Sequence, residues 1–228
     1  MPLDYNQIFN NICVPNFVVK MDEKCFGIVE NRINIFVDGL RKKGQSVDYY
    51  TANRSVSGQK AINDLIVSKW AECHALIYYR LFLKFPKCSV DFEIRENNEK
   101  GWGKDLPFNK LDDKFPDVHV KSCREYIRDY VGDYSWTFQK HNNNDRFGTD
   151  PLFDSPDSGD LITGVCLHND FHYATICFTA PWKLIISNKL LKSPKKEDKK
   201  RLKECIYYKD LVNLARMHSV VHGQVLKD

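Results

Sequence analysis

Two hydrophobic periods divide this chain. From Met21 to Gly44 the apolar positions Phe26, Val29, Ile33, Phe36, Val37 and Leu40 recur every three to four residues, and Lys42-Lys43-Gly44 closes the run as a helix stop. After a polar stretch the same period returns over residues 57–82, at Ala61, Ile62, Leu65, Ile66, Trp70 and Ile77, with Ser57 as a cap and Pro86 as the terminator. This predicts a second, longer helix. Beyond Pro86 the period becomes two. Residues 88–96 (CSVDFEIRE), 116–123 (PDVHVKSC), 134–141 (YSWTFQKH), 161–169 (LITGVCLHN) and 171–182 (FHYATICFTAPW) each read as strands.

The links agree with that division. Residues 97–115 form a long polar connection, REYIRDYVGD a short bridge with a single helical turn, and 141–160 a loop rich in Asn, Asp, Gly and Pro. HNDF makes a hairpin turn before the last strand, and after Trp182 the chain becomes basic and helical, ending in DLVNLARMHSVVHGQ. The expectation is an α+β protein with a central mixed five-stranded sheet flanked by helices. One domain would span 1–228: a helical extension over 1–56, a core over 57–182 and a basic helical segment over 183–228. At 228 residues the chain has room for one sizeable core.

Composition adds three constraints. No apolar run approaches the length of a membrane span and MPLDYNQIFN lacks the form of a signal peptide, so the expectation is a cytoplasmic protein without membrane contact. Eight cysteines contain no CxxC pair, which points to reduced, buried thiols instead of a zinc ribbon or a disulfide framework. The net charge of +4 is uneven: between Lys183 and Lys209 ten Lys or Arg face Glu197, Asp198 and Glu204, a local +7. Lys195, Lys196, Lys199, Lys200 and Arg201 form its densest part, suited to a polyanion such as DNA or to the solvated face of a helix.

The strand 116–123 carries the chemistry. Alternation places Asp117, His119 and Lys121 on one face and Val118 and Val120 on the other. PDVHVK, preceded by a helix and by VDFEIRE, resembles the PD-(D/E)XK nuclease superfamily, the restriction-endonuclease-like fold. That resemblance, over roughly residues 57–180, implies Mg²⁺-dependent cleavage of phosphodiesters. His119 departs from the family pattern, which has an acid two residues before the lysine, so Mn²⁺ or a positioning role for the imidazole is the alternative.

Hard Mg²⁺ wants carboxylate and carbonyl oxygens, and an ammonium beside it can hold the attacking water or offset charge on the phosphorus. On that basis Asp117, His119 and Lys121 are the leading catalytic candidates, with Asp117 also a metal ligand. Asp91, which shares a face with Glu93, or Asp113 with its neighbour Asp112, would complete the metal set. The resemblance also points to Glu72 as the helix acid, with Gln59 as its polar rival. Gln139, on the next strand beside Ser135 and Thr137, would reach the metal water or a phosphate.

Other constellations are weaker. His218 and His222 lie one helical turn apart, and Cys166, His168 and His172 surround a hairpin turn, but neither set completes a zinc site. His119 and Cys123, about 13 Å apart along a strand, make no dyad. No GxxxxGK[ST], GxGxxG or GxSxG occurs. Three readings follow: a metal-dependent DNA endonuclease of restriction or viral type, dimeric if it cuts both strands of a symmetric site; a nucleic-acid-binding protein whose catalysis has lapsed on that scaffold; and an interaction module using exposed rings in LIYYRLF or IYYKDL.

Overall fold

The computed structural model describes residues 10–42, 59–83, 88–92, 105–106, 116–139, 150–195 and 203–221. The predicted terminators Gly44 and Pro86, the cap Ser57, and His222 lie outside these residues, and the side chain of His218 is not described.

Both helices form where the spacing places them. Helix α1 spans Glu23–Lys42 and buries Ile33, Phe36, Val37 and Leu40. Asp22 caps it, its Oδ1 accepting from Cys25 N at 2.7 Å, which satisfies one of the helix's orphan donors. Helix α2 spans Gln59–Ile77 and runs on as a π-helical turn over Tyr78–Phe82, closed by Leu83 N donating to Tyr78 O at 3.3 Å.

The strands are β1 (Phe17–Lys20), β2 (Val118–Arg124), β3 (Ser135–Gln139), β4 (Leu161–Leu167), β5 (Tyr173–Pro181) and β6 (Lys203–Tyr207). Between them lie the short helices α3 (Ile127–Val131) and α4 (Trp182–Ser187), and α5 (Tyr208–Val221) follows β6. The architecture is α+β, but among the described residues the sheet is a mixed four-stranded one ordered β1-β5-β4-β2, with β2 parallel to β4 and the other pairs antiparallel. The third predicted strand, 134–141, does not join it: its described part, β3, pairs instead with β6 in a separate antiparallel pair. Residues 88–92 of the predicted first strand form no named strand, and 93–96 lie outside the described residues. β1 and β6 were not expected, since four or five residues with a mixed pattern do not distinguish strand from helix or loop.

The sheet separates two cores. On one face α1 and α2 pack against Val118, Val120, Leu161, Val165, Leu167, Ala174 and Ile176. On the other, Cys123, Ile162, Cys166, Cys177 and Phe178 meet Trp136 and Phe138 of β3, Trp182 and Ile185 of α4, and Leu211 of α5. Because both faces of β4 are covered, it reads as the continuous apolar run LITGVCL. The pairing of β4 with β5 shifts between Gly164 and Val165. This β-bulge turns two successive residues of β5, Cys177 and Phe178, into the same core.

No disulfide joins the eight cysteines, and Cys73, Cys88, Cys123, Cys166, Cys177 and Cys205 are buried, as a reduced set of thiols requires. Tyr78, Tyr79 and Tyr207 are also buried and Tyr208 is half-buried, so none of these four rings lies exposed; Arg80 and Leu81 are exposed. No helix among the described residues is long and apolar enough to cross a membrane.

The β4–β5 turn is pinned onto the helices. Phe171 adopts φ +61° and stacks on Trp70, while Phe26 stacks between Trp70 and His172. His74, fully buried, donates from Nε2 to Phe171 O at 2.8 Å, which leaves Nδ1 without a proton and, among the described residues, without a partner. Burial therefore pulls the imidazole pKa down from 6.5 to about 4. The unfolded chain takes up this proton first as the pH falls, so the His74 contribution is complete above pH 6.5 and is lost between 6.5 and 4. Relative to His74→Asn, the wild type should lose about 2 kcal/mol between pH 7 and pH 5 in urea titrations. Parallel pH curves would exclude a buried neutral imidazole.

Candidate functional site

Strand β2 positions the site because it ends the four-strand order and is still covered on both faces. Its outer edge is bridged by Leu106 opposite Val118, with Leu106 N donating to Val118 O at 3.1 Å. The strand is thus terminal among the described strands of that sheet. The bridge brings in Asp105, whose Oδ2 accepts from Val120 N at 2.7 Å. That bond fixes a carboxylate to the strand one residue before Lys121.

Alternation sends Lys121 toward the β3 side, with Cys123. There its Nζ meets Asp150 Oδ2 at 2.5 Å and lies 5.2 Å from the centroid of the Phe138 ring. Burial pulls the lysine pKa down, but the charges of Asp150 and Asp105 outweigh it and hold the group above its ordinary value. A lysine on a doubly covered strand needs a partner, and Asp150 is that partner. His119, also buried, lies on the same strand face with Nε2 3.6 Å from Asp160 Oδ2, too long for a hydrogen bond.

On the other face, α2 contributes a buried ion pair. Glu72 Oε2 accepts from Lys69 Nζ at 2.7 Å and Oε1 from Ser68 Oγ at 3.1 Å. Lys69 also donates to Asp91 O at 2.6 Å and lies over the rings of Phe36 and Phe92. Burial raises the Glu72 pKa to about 8 against the opposing pull of Lys69, and Asp105 pushes it the same way. Lys69 is pulled down by burial and pushed up more strongly by Glu72, Asp105 and Asp91, so it keeps its charge. Asp105 therefore feels three groups across the strand edge: Lys69, Glu72 and Lys121.

The predicted residues are distributed as follows. Lys121, His119 and Glu72 are buried or half-buried around β2. Asp117 is half-buried just before the strand, where its carbonyl accepts from Leu161 N at 2.8 Å. Asp91 meets Lys69 through its backbone carbonyl. Gln139 is buried at the end of β3; its carbonyl accepts from Asp150 N at 3.1 Å, and its side-chain Oε1 has no partner among the described residues. Asp112 and Asp113 lie outside the described residues, as do Glu93, Lys196, Lys199, Lys200 and Arg201. Within the basic segment Lys195 places its ammonium over the Tyr207 ring, and Lys192 pairs with Asp210.

The two acids that the structure adds, Asp105 and Asp150, had readable signals. Asp150 precedes Pro151, the pattern of a helix start. Asp105 precedes Leu106, a fully buried residue within a polar connection.

Whether these residues suit a divalent cation follows from the donor set. Mg²⁺ and Mn²⁺ take about six ligands, mostly oxygen. Among the described residues no three His, Cys, Asp or Glu side chains come together to hold a cation. Both oxygens of Glu72 are engaged by Ser68 and Lys69, and Asp91 and Asp117 are not gathered with it into a cage. The described residues do not by themselves fit the expected ion. Cys166, buried in the core, and His172, stacked on Phe26, likewise form no metal group with His168. In comparisons with known proteins, no family model, no curated protein and no solved structure matches this chain.

Proposed function

We propose that this protein is a nucleic-acid phosphodiesterase, an endonuclease of the PD-(D/E)XK type acting on DNA, with Lys121 as the cation that meets the scissile phosphate. What supports this reading is a carboxylate bonded to the strand backbone at the edge of β2, Asp105, which acts electrostatically on the strand lysine Lys121 on one face of the sheet and on the helix acid Glu72 on the other. Cleavage of a phosphodiester builds negative charge on the phosphoryl oxygens, and a preorganised ammonium in a largely water-excluded site stabilises that charge. The basic stretch around Lys195 would track the phosphate backbone independently of sequence.

A second reading, binding without cleavage on the same scaffold, draws on a specific observation: the described acids make no cation cage and Lys121 is held by Asp150.

One assay separates the two. Supercoiled plasmid is incubated with Mg²⁺ or Mn²⁺ and wild type, Lys121→Ala or Asp105→Asn, and salt-dependent DNA retention is measured in parallel. The endonuclease reading expects nicking by wild type and a loss of about 100-fold or more in Lys121→Ala, with retention changed only a few-fold. Intact plasmid with salt-dependent retention would establish the binding reading. Cleavage by Lys121→Ala at the wild-type rate would move the site elsewhere, and absent retention would sink both.

A further inference from the structure

We infer that Asp150 is a positioning residue for Lys121, a fixed counter-ion that keeps the strand lysine charged and aimed, so that Lys121 serves an anionic ligand as a cation and not as a base. The functional consequence rests on the phosphodiesterase reading; the contact itself does not. Asp150 is held from two sides before it meets the lysine. Its backbone N donates to Gln139 O at 3.1 Å, tying it to the end of β3. Its Oδ1 accepts from Leu152 N at 3.4 Å, capping the 3-10 turn Pro151–Asp154. That leaves Oδ2 for Lys121 Nζ at 2.5 Å. The carboxylate is buried while the lysine side chain keeps 20% of its exposure, so the acid is the fixed member and the lysine can still reach a ligand.

Among the described residues two carboxylates act on Lys121 in the same sense, Asp150 from the start of the 3-10 turn and Asp105 from the strand edge. The Phe138 ring lies beside the ammonium, and on the lysine's own strand His119 faces Asp160. A general base must give up its proton near the working pH, and a lysine facing two carboxylates is set against that. Without its anchor, a four-carbon stem with several rotatable bonds would disperse the ammonium over many positions.

Trace acetylation with acetic anhydride across pH 7–11, read lysine by lysine by mass spectrometry, tests this on the full chain without reference to activity. In wild type Lys121 should titrate above the exposed Lys183 and Lys189. In Asp150→Asn, which keeps a cap oxygen, its midpoint should fall and its labelling at pH 8 should rise about tenfold, and Asp150→Glu should reverse part of the change. In the nicking assay Asp150→Asn should lower kcat with KM within a few-fold and shift the alkaline limb of the pH profile toward acid. An unchanged Lys121 midpoint in folded Asp150→Asn would overturn the inference. Should that variant fail to fold, a wild-type midpoint at or below that of Lys183 and Lys189 would overturn it as well. If no variant cuts DNA, the proposed function falls, and the labelling still decides the role of Asp150.

Discussion

Lys69→Ala should lower the unfolding free energy by about 3–5 kcal/mol, because it removes the ammonium that holds a buried carboxyl. Lys69 and Glu72 are one helical turn apart on α2 and both nearly inaccessible. Without the ammonium, Glu72 retains the Ser68 hydroxyl at 3.1 Å among the described residues, and Asp91 O loses the bond from Lys69. The variant should answer this by protonating Glu72, whose pKa burial already raises to about 8. A carboxyl that binds its proton more tightly in the folded state makes stability fall as the pH rises from about 4.5 through that folded value. The penalty should accordingly be larger at pH 8 than at pH 5 in urea titrations. Replacing both partners, Lys69→Met with Glu72→Leu, should recover most of the loss, since a matched apolar pair avoids the desolvation of two charges. If Lys69→Ala keeps the wild-type denaturation midpoint at both pH values, the pair is open to water.

A single methyl group at position 164 should be nearly as damaging. A Cβ built on Gly164 would lie 2.0 and 2.4 Å from ring atoms of Phe178 and 2.9 Å from the Trp136 ring. Neither ring has room to retreat, because both are fully buried and pack edge to face at 4.9 Å. Trp136 is further tied to β4 by Nε1 donating to Val165 O at 3.3 Å. Gly164→Ala should therefore cost about 3 kcal/mol, at the upper end of overpacking effects, with an unchanged dependence on denaturant concentration. Phe178→Leu opens space at the same spot, so the double variant should be more stable than the sum of the two single effects. Strict additivity would place the clash somewhere other than Phe178.

Particular residues show where sequence reading succeeded. The helix period over Phe26 to Leu40 yielded α1 within two residues of its observed ends, because one face of that helix must be buried along its whole length. β4 and β5 were legible as apolar runs separated by the turn signal HNDF. Lys121 was proposed from its place on the alternating strand, and Glu72 from the family resemblance. Their partners were not: Asp150 comes 29 residues after the lysine, and Asp105 lies across a connection that no local pattern pairs with β2. The destination of β3 escaped for a related reason, since YSWTFQKH alternates equally well in a five-stranded sheet or opposite β6.

By itself the sequence determined that the chain is α+β, which segments alternate, and that an imidazole and an ammonium share one face of a strand. Those properties are set by side-chain period and backbone geometry, which act over neighbouring residues. Only the tertiary structure decided that the strand lies at the end of a four-strand order, that its lysine faces Asp150 and Asp105, and that the helix acid pairs with Lys69. These depend on which distant carboxylate reaches a buried ammonium first and most cheaply, and charge compensation across a core carries no local signature in the chain.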